Sequence, residues 1–243
     1  MTKVLIIVFF LTSSFGSYSD GEDCINILKE YSQRMLQYKN PDPAKTYKLE
    51  MGVKTIYKKG LDIPDTDIKT TVLIKGDKVQ YESSYLNMYM DEKNTFTIIH
   101  PQKLIVRADG GLRNKVDKVE AFATIQDTLF KRSTVQSCME TITEGKKVKE
   151  ITLIPDNLMQ NATMINKIIY SYDLKEKRVY QTRIFFLPQS PKKEEIITYN
   201  SLNYNSKEKI FTKAENMVFT DQGKLQSIYK NYEFIDNRKT SKK

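Results

Sequence analysis

From Thr46 to Lys58 the residues Tyr47, Leu49, Met51, Val53 and Tyr57 alternate with Lys48, Glu50, Lys54 and Lys58. A period of two places the large apolar side chains on one side of an extended chain, so the segment reads as a strand with one buried face. Similar strands recur between turns at short intervals. Gly60 to Asp67 form a loop, and Ile68, Thr70, Val72 and Ile74 alternate up to a Gly76-Asp77 hairpin turn. Asp91 to Asn94 turn again, Thr95 to Ile99 is a strand, and His100-Pro101-Gln102 reverse the chain into Leu104 to Val106. Strands joined by tight hairpins need no crossover, so this half of the chain is an antiparallel meander.

Asp109-Gly110-Gly111 interrupts the series, and Val116, Val119, Phe122, Ala123, Leu129 and Phe130 then recur at helical spacing through Arg132, predicting one or two helices. Strands resume at Val135 to Thr143 and Val148 to Ile154, with Pro155 to Thr163 as a loop. A second meander runs through Ile165 to Tyr172, Arg178 to Leu187, Glu195 to Leu202, Lys209 to Lys213 and Leu225 to Phe234. Ahead of all this, Ile25, Leu28, Met35 and Leu36 predict an N-terminal helix that Asn40-Pro41 stops. The fold class is α+β, and a sheet of about ten antiparallel strands coils rather than staying flat. The expected shape is an unclosed β-barrel, wet on its convex face, with the N-terminal helix and the central insert capping the concave one.

One stretch breaks the alternation. Val79, Tyr81, Ser83, Tyr85 and Tyr89 occupy odd positions and Lys78, Gln80 and Glu82 even ones, but Leu86, Met88 and Met90 then make the even side apolar too. A strand that bends or bulges here, switching faces within an ordinary core, is one reading. Flexible side chains on a ligand-facing surface are the other.

The first residues differ from the rest. Met1-Thr2-Lys3 is a positive start, Val4 to Leu11 is an unbroken apolar run, and small residues follow up to Ser19, which is secretory-signal architecture over residues 1–19. The apolar run is shorter than the roughly 20 residues a membrane span needs. Residues 20–236 then form one domain, since no Pro/Gly/Ser-rich linker divides them, and 237–243 are a basic tail. Export would put Cys24 and Cys138, the two cysteines, in an oxidising compartment. Either they bridge, with a chain-entropy stabilisation of roughly 4–5 kcal/mol, or they are two buried thiols.

A net charge of +9 suits transient contact with an anionic membrane surface, although Lys146-Lys147, Lys192-Lys193 and the tail place much of the excess in turns and termini. No nucleic-acid module is present in the pattern. Catalytic and metal constellations are also missing. His100 is the single histidine and sits in a turn before Pro101, and no cysteine pair has ligand spacing. Ser206 to Lys209 and Ser227 to Lys230 match Ser-x-x-Lys but lie in a turn and a strand, not at a helix start. Asn161-Ala162-Thr163 is a glycosylation sequon with meaning only in a eukaryote. These residues argue for a protein that is not an enzyme and carries no cofactor or metal.

In element order and local cadence the chain resembles the LolA/LolB-like periplasmic lipoprotein carriers. The carrying residues are the N-terminal helix ending at Tyr38-Lys39-Asn40, the Lys45-Thr46-Tyr47 strand start, and Lys75-Gly76-Asp77-Lys78 followed by Asp91, Phe96, Ile98, Pro101 and Lys103. Ile168 to Asn200 is similar to a later hairpin of that family. The resemblance implies a periplasmic protein of a Gram-negative cell, monomeric, that holds lipid or lipoprotein acyl chains in an apolar cavity and has a possible part in outer-membrane lipoprotein sorting. It places Tyr85, Leu86, Met88, Met90, Phe96, Ile98, Phe122 and Leu129 at the cavity or its lid. The arginine that such carriers keep inside the cavity has no motif-matched counterpart, Arg107 and Arg183 being the strand arginines. The alternative is a cell-envelope scaffold that uses the same fold to dock partners by its basic tail or a sheet edge.

Overall fold

The structure, a computed structural model, describes residues 21–35, 42–110 and 128–238. The predicted signal run, the predicted Asn40-Pro41 stop of the first helix, most of the predicted helical insert with Phe122, and the end of the basic tail lie outside the described residues.

Helix α1 (Gly21–Met35) precedes β1 (Thr46–Tyr57), β2 (Thr66–Lys75), β3 (Lys78–Ser83), β4 (Leu86–Met90), β5 (Asn94–Ile99) and β6 (Leu104–Asp109). There follow β7 (Ser133–Thr143), β8 (Lys146–Pro155), α2 (Asn157–Thr163), β9 (Ile165–Asp173), β10 (Arg178–Phe186), β11 (Lys192–Ser206) and β12 (Glu233–Asp236). The strands form one 12-stranded sheet in the order β12-β6-β5-β4-β3-β2-β1-β11-β10-β9-β8-β7. Its two edges, β12 and β7, do not pair, so the sheet is an unclosed half-barrel. Ten of the eleven strand pairs are antiparallel hairpin or meander pairs plus the β1–β11 seam that joins the two meanders; β12 lies parallel to β6.

Directly opposed residues project to the same side of a sheet, and the register therefore sorts side chains into two faces. One face runs Cys138, Ile151, Tyr170, Thr182, Ile197, Val53, Ile68 from β7 to β2. It continues through Val72, Tyr81, Met88, Thr97 and Val106 to β6. Helix α1 packs on its β7–β11 half. Cys24, Leu28 and Tyr31 fall on one helical stripe and are buried with Ile151, Leu153, Ile168 and Tyr170, whereas Asp23, Asn26, Lys29 and Glu30 face water. Cys24 and Cys138 form a disulfide with Cα atoms 6.5 Å apart, which fastens the helix to β7.

The other face was expected to be wet. Over β4–β6 it is a second core instead, because residues 207–232, here called the strap, cross onto it after β11. Phe211, Ala214, Val218 and Tyr229 bury against Tyr89, Phe96, Ile98 and Ile105. Edge-to-face ring pairs join Tyr89 to Phe211 and Phe96 to Phe219, with centroids 6.0 and 5.9 Å apart. Asp91 ties the strap to the β4–β5 turn: Oδ1 accepts from the Lys93 and Asn94 amides and Oδ2 from the Ala214 amide at 2.8 Å. Gly110 closes over this turn, where an added Cβ would lie 2.3 Å from the Asp91 carbonyl oxygen and the Asn94 nitrogen, so only glycine fits.

Three readings from sequence are corrected here. Lys209 to Lys213 is not a strand but the start of the strap, since Ile210 and Phe211 bury on a sheet face rather than extend its edge. Leu225 to Phe234 is not one strand: Leu225 makes an isolated bridge to Phe219, Ser227–Tyr229 is a short 3-10 turn, and only Glu233 and Phe234 join β12. Pro155 to Thr163 contains α2, whose N-cap Asp156 accepts from the Met159 amide.

Candidate functional site

The interrupted alternation around Leu86 has a local cause. Ser83 Oγ accepts from the amides of Tyr85 and Leu86 at 3.3 and 3.0 Å and donates to the Leu86 carbonyl at 2.9 Å, so the chain reverses over Ser84 and Tyr85. Reversal over two residues carries the face of Val79 and Tyr81 onto Met90 and Met88, their cross-strand partners. The apolar side thus moves from odd to even numbers without leaving its face. The segment is a hairpin, neither a single two-sided strand nor a bulge.

That face is the one on which α1 packs, and its two halves differ. Under the helix, Ile151 and Leu153 are sealed at 0% exposure. Over β1–β6 the same side carries Leu49, Met51, Val53, Val72, Tyr81, Leu86, Met88 and Val106, every one of them half-buried. Met90 and Val79 close the strip at the β4–β5 turn, where both are buried. The result is a contiguous aliphatic, Met- and Tyr-bearing surface continuous with the helix-covered core. Such a surface supplies dispersion contacts and almost no hydrogen bonds, so what it can hold is a hydrocarbon chain or another apolar group.

The residues that the resemblance placed at the cavity divide. Leu86, Met88 and Met90 lie on this strip, and Leu129 packs partly buried beside the α1 core. Tyr85 sits in the hairpin turn, 50% exposed. Phe96 and Ile98 are on the opposite face, fully buried beneath the strap. Their parity decides this: Phe96 pairs with Tyr89 and Ile98 with Asn87, both across the sheet from Met88.

The strand arginines are also on the strap side. Arg107 donates through Nε to Asn94 at 2.9 Å, stands 5.2 Å over the Phe96 ring and reaches Glu215 at 3.5 Å. Arg183 pairs with the buried Glu194 at 2.7 Å. His100 contributes Nδ1 to a 3.1 Å hydrogen bond with the Tyr232 hydroxyl, which pins the end of the strap to the β5–β6 turn. Tyr89 donates to Glu82 at 2.8 Å, and burial first, then Glu82, raises its phenol pKa. Burial likewise raises the phenols of Tyr170 and Tyr199 on the helix face. Ser206 only caps the Glu208 amide, and Ser227 opens a 3-10 turn. Among the described residues no group of three or more His, Cys, Asp or Glu could hold a metal ion.

Sequence reasoning did not find the strap residues. Phe211, Ala214 and Val218 are spaced three and four apart, a helical interval that begins in the Lys209 to Lys213 stretch read as a strand and runs on into residues assigned to no element.

An open half-barrel, with a helix disulfide-bonded to one end of its apolar face, is the class of fold these residues build. No protein-family model matches the chain, and no curated protein matches it. Solved structures to which the chain is similar include an uncharacterised conserved protein from Thermus thermophilus, at 7% identity and TM-score 0.41, covering 89% of this chain and 99% of that one. A domain described as outer membrane lipoprotein-sorting, from Vibrio parahaemolyticus, is similar at 8% identity and TM-score 0.34, covering 78% and 95%. A LolA superfamily protein from Nitrosomonas europaea is similar at 9% identity and TM-score 0.26, covering 72% and 94%.

Proposed function

We propose that the protein is an exported, non-enzymatic carrier that holds the hydrocarbon part of a lipid or acylated molecule against the β1–β6 half of its helix face. The observation that carries this reading is the half-buried apolar strip from Leu49 through Met88 to Val106, which the sheet presents beside a sealed core. Half-buried aliphatic and methionine side chains gain by being covered fully, and an acyl chain offers them dispersion contacts without asking for hydrogen bonds. The Cys24–Cys138 disulfide supports export, because such bonds persist in oxidising compartments. Handover of outer-membrane lipoproteins in a periplasm is the narrower form of the proposal.

The test is displacement of a fluorescent fatty acid, together with native mass spectrometry of gently purified protein. Wild type is expected to bind the probe or retain lipid. Met88→Asp is expected to abolish binding while circular dichroism stays unchanged, since a carboxylate on a half-buried strip costs far more against hydrocarbon than against water. A wild-type protein that retains nothing and binds no probe ends the proposal and leaves the envelope scaffold as the better reading.

A further inference from the structure

At the end of the sheet where β1 begins and β2 meets β3, the strap leaves β11 and makes a cleft of about 380 Å³ on the strap face. Lys75, Lys78, Lys207 and Lys209 line it, together with Thr46, Ser206, Thr212, Ile210 and Phe211. Glu208 is the one carboxylate in the lining, and it is already bonded to Lys48, which also holds Glu50 at 2.7 Å. Five lysines therefore meet two carboxylates. Lys78 spends one proton on the Phe211 carbonyl at 3.3 Å, and among the described residues Lys75, Lys207 and Lys209 have no carboxylate within ion-pair distance. The neighbouring cleft of about 410 Å³ shares Lys75 and Lys78 but balances four lysines with Asp77, Asp91, Glu92 and Glu215. Lys75 and Lys78 face both clefts, so the charge that no carboxylate of either lining balances rests on Lys207 and Lys209.

The geometry points to a second binding site in this lysine cleft, for a phosphate group carried either on a lipid headgroup or free in solution. Ammonium groups converging from two strands and the strap repel one another, and a multiply charged anion removes that repulsion while the hydroxyls supply short hydrogen bonds to its oxygens. The site lies across the sheet from the apolar strip, so it does not rest on the carrier reading and can stand if that reading falls.

The experiment compares the full chain with Lys75→Gln/Lys207→Gln/Lys209→Gln and with a control of equal charge change, Lys59→Gln/Lys193→Gln/Lys230→Gln, whose exposed lysines lie at the other end of the strands. Co-sedimentation with phosphatidylglycerol–phosphatidylcholine vesicles against pure phosphatidylcholine, and calorimetric titration with inorganic phosphate, are the two readouts. Each lysine beside an anionic bilayer contributes about fivefold, so the cleft variant should lose on the order of a hundredfold in vesicle affinity. The control should lose far less. Vesicle binding that depends on the cleft lysines identifies the lipid source, and phosphate binding without vesicle binding, lost in the cleft variant, identifies the free one. Equal losses in both variants, or no binding of either probe by wild type, overturn the proposal.

Discussion

At the level of single residues, parity decides which face a side chain serves more than residue type does. Phe96 and Met88 are both large and apolar and lie on neighbouring strands, yet one is sealed under the strap and the other stays half-open on the helix face. Phe96→Ala is therefore expected to cost about 3–5 kcal/mol in urea denaturation while leaving fatty-acid displacement unchanged for the fraction that folds. Lost probe affinity at unchanged stability would instead place the ring on the ligand side. Alternation along β1 and β2 was legible directly from the sequence. The β3–β4 reversal was not, because Ser83-Ser84-Tyr85 contains no glycine, asparagine or proline and the turn depends on one serine hydroxyl satisfying two amides. Without that hydroxyl in view, Leu86, Met88 and Met90 looked like the wrong side of a strand.

At the level of elements, the strap contributes a core of its own. Ending the chain at Ser206 would uncover Phe96, Ile98, Ile105 and Tyr89 together, at about 1.5–3 kcal/mol for each large side chain returned to water. Such a chain is expected to bind a hydrophobic dye strongly and to unfold at much lower denaturant; an unchanged midpoint would show that the strap is only draped over the sheet. The meander, its hairpin turns other than β3–β4, and α1 could be read from periodicity because local pattern and final position agree there. The strap could not, since its conformation follows from the face it covers and not from its own alternation. Helix α2 was hidden for a similar reason: Pro155-Asp156-Asn157 has the composition of a loop, and only the Asp156 carboxylate on the Met159 amide turns it into a helix start.

At the level of the whole molecule, two long-range features set the response to solution conditions. The disulfide joins residues 114 apart, so reduction should lower stability by roughly 4–5 kcal/mol through the freedom it restores to the unfolded chain, as measured by denaturation with and without reductant. Alkali acts through the buried phenols. Burial is the leading cause that raises the pKa of Tyr89, Tyr170, Tyr199 and Tyr229 above the ordinary value of 10.0. Below about pH 10 these groups are neutral in both states and the full stability is present. Above it the unfolded chain releases protons that the folded one retains, so stability falls as pH rises. In an alkaline titration, phenolate absorbance should therefore rise in two stages, the second coinciding with loss of circular dichroism; a single early stage would contradict the burial of these rings. The parallel β12–β6 pair has a further consequence at this scale. The sheet's edge is completed by a strand more than a hundred residues downstream of the one it covers, so any variant that loses Glu233 to Asp236 would leave β6 as a bare template for pairing with a second chain.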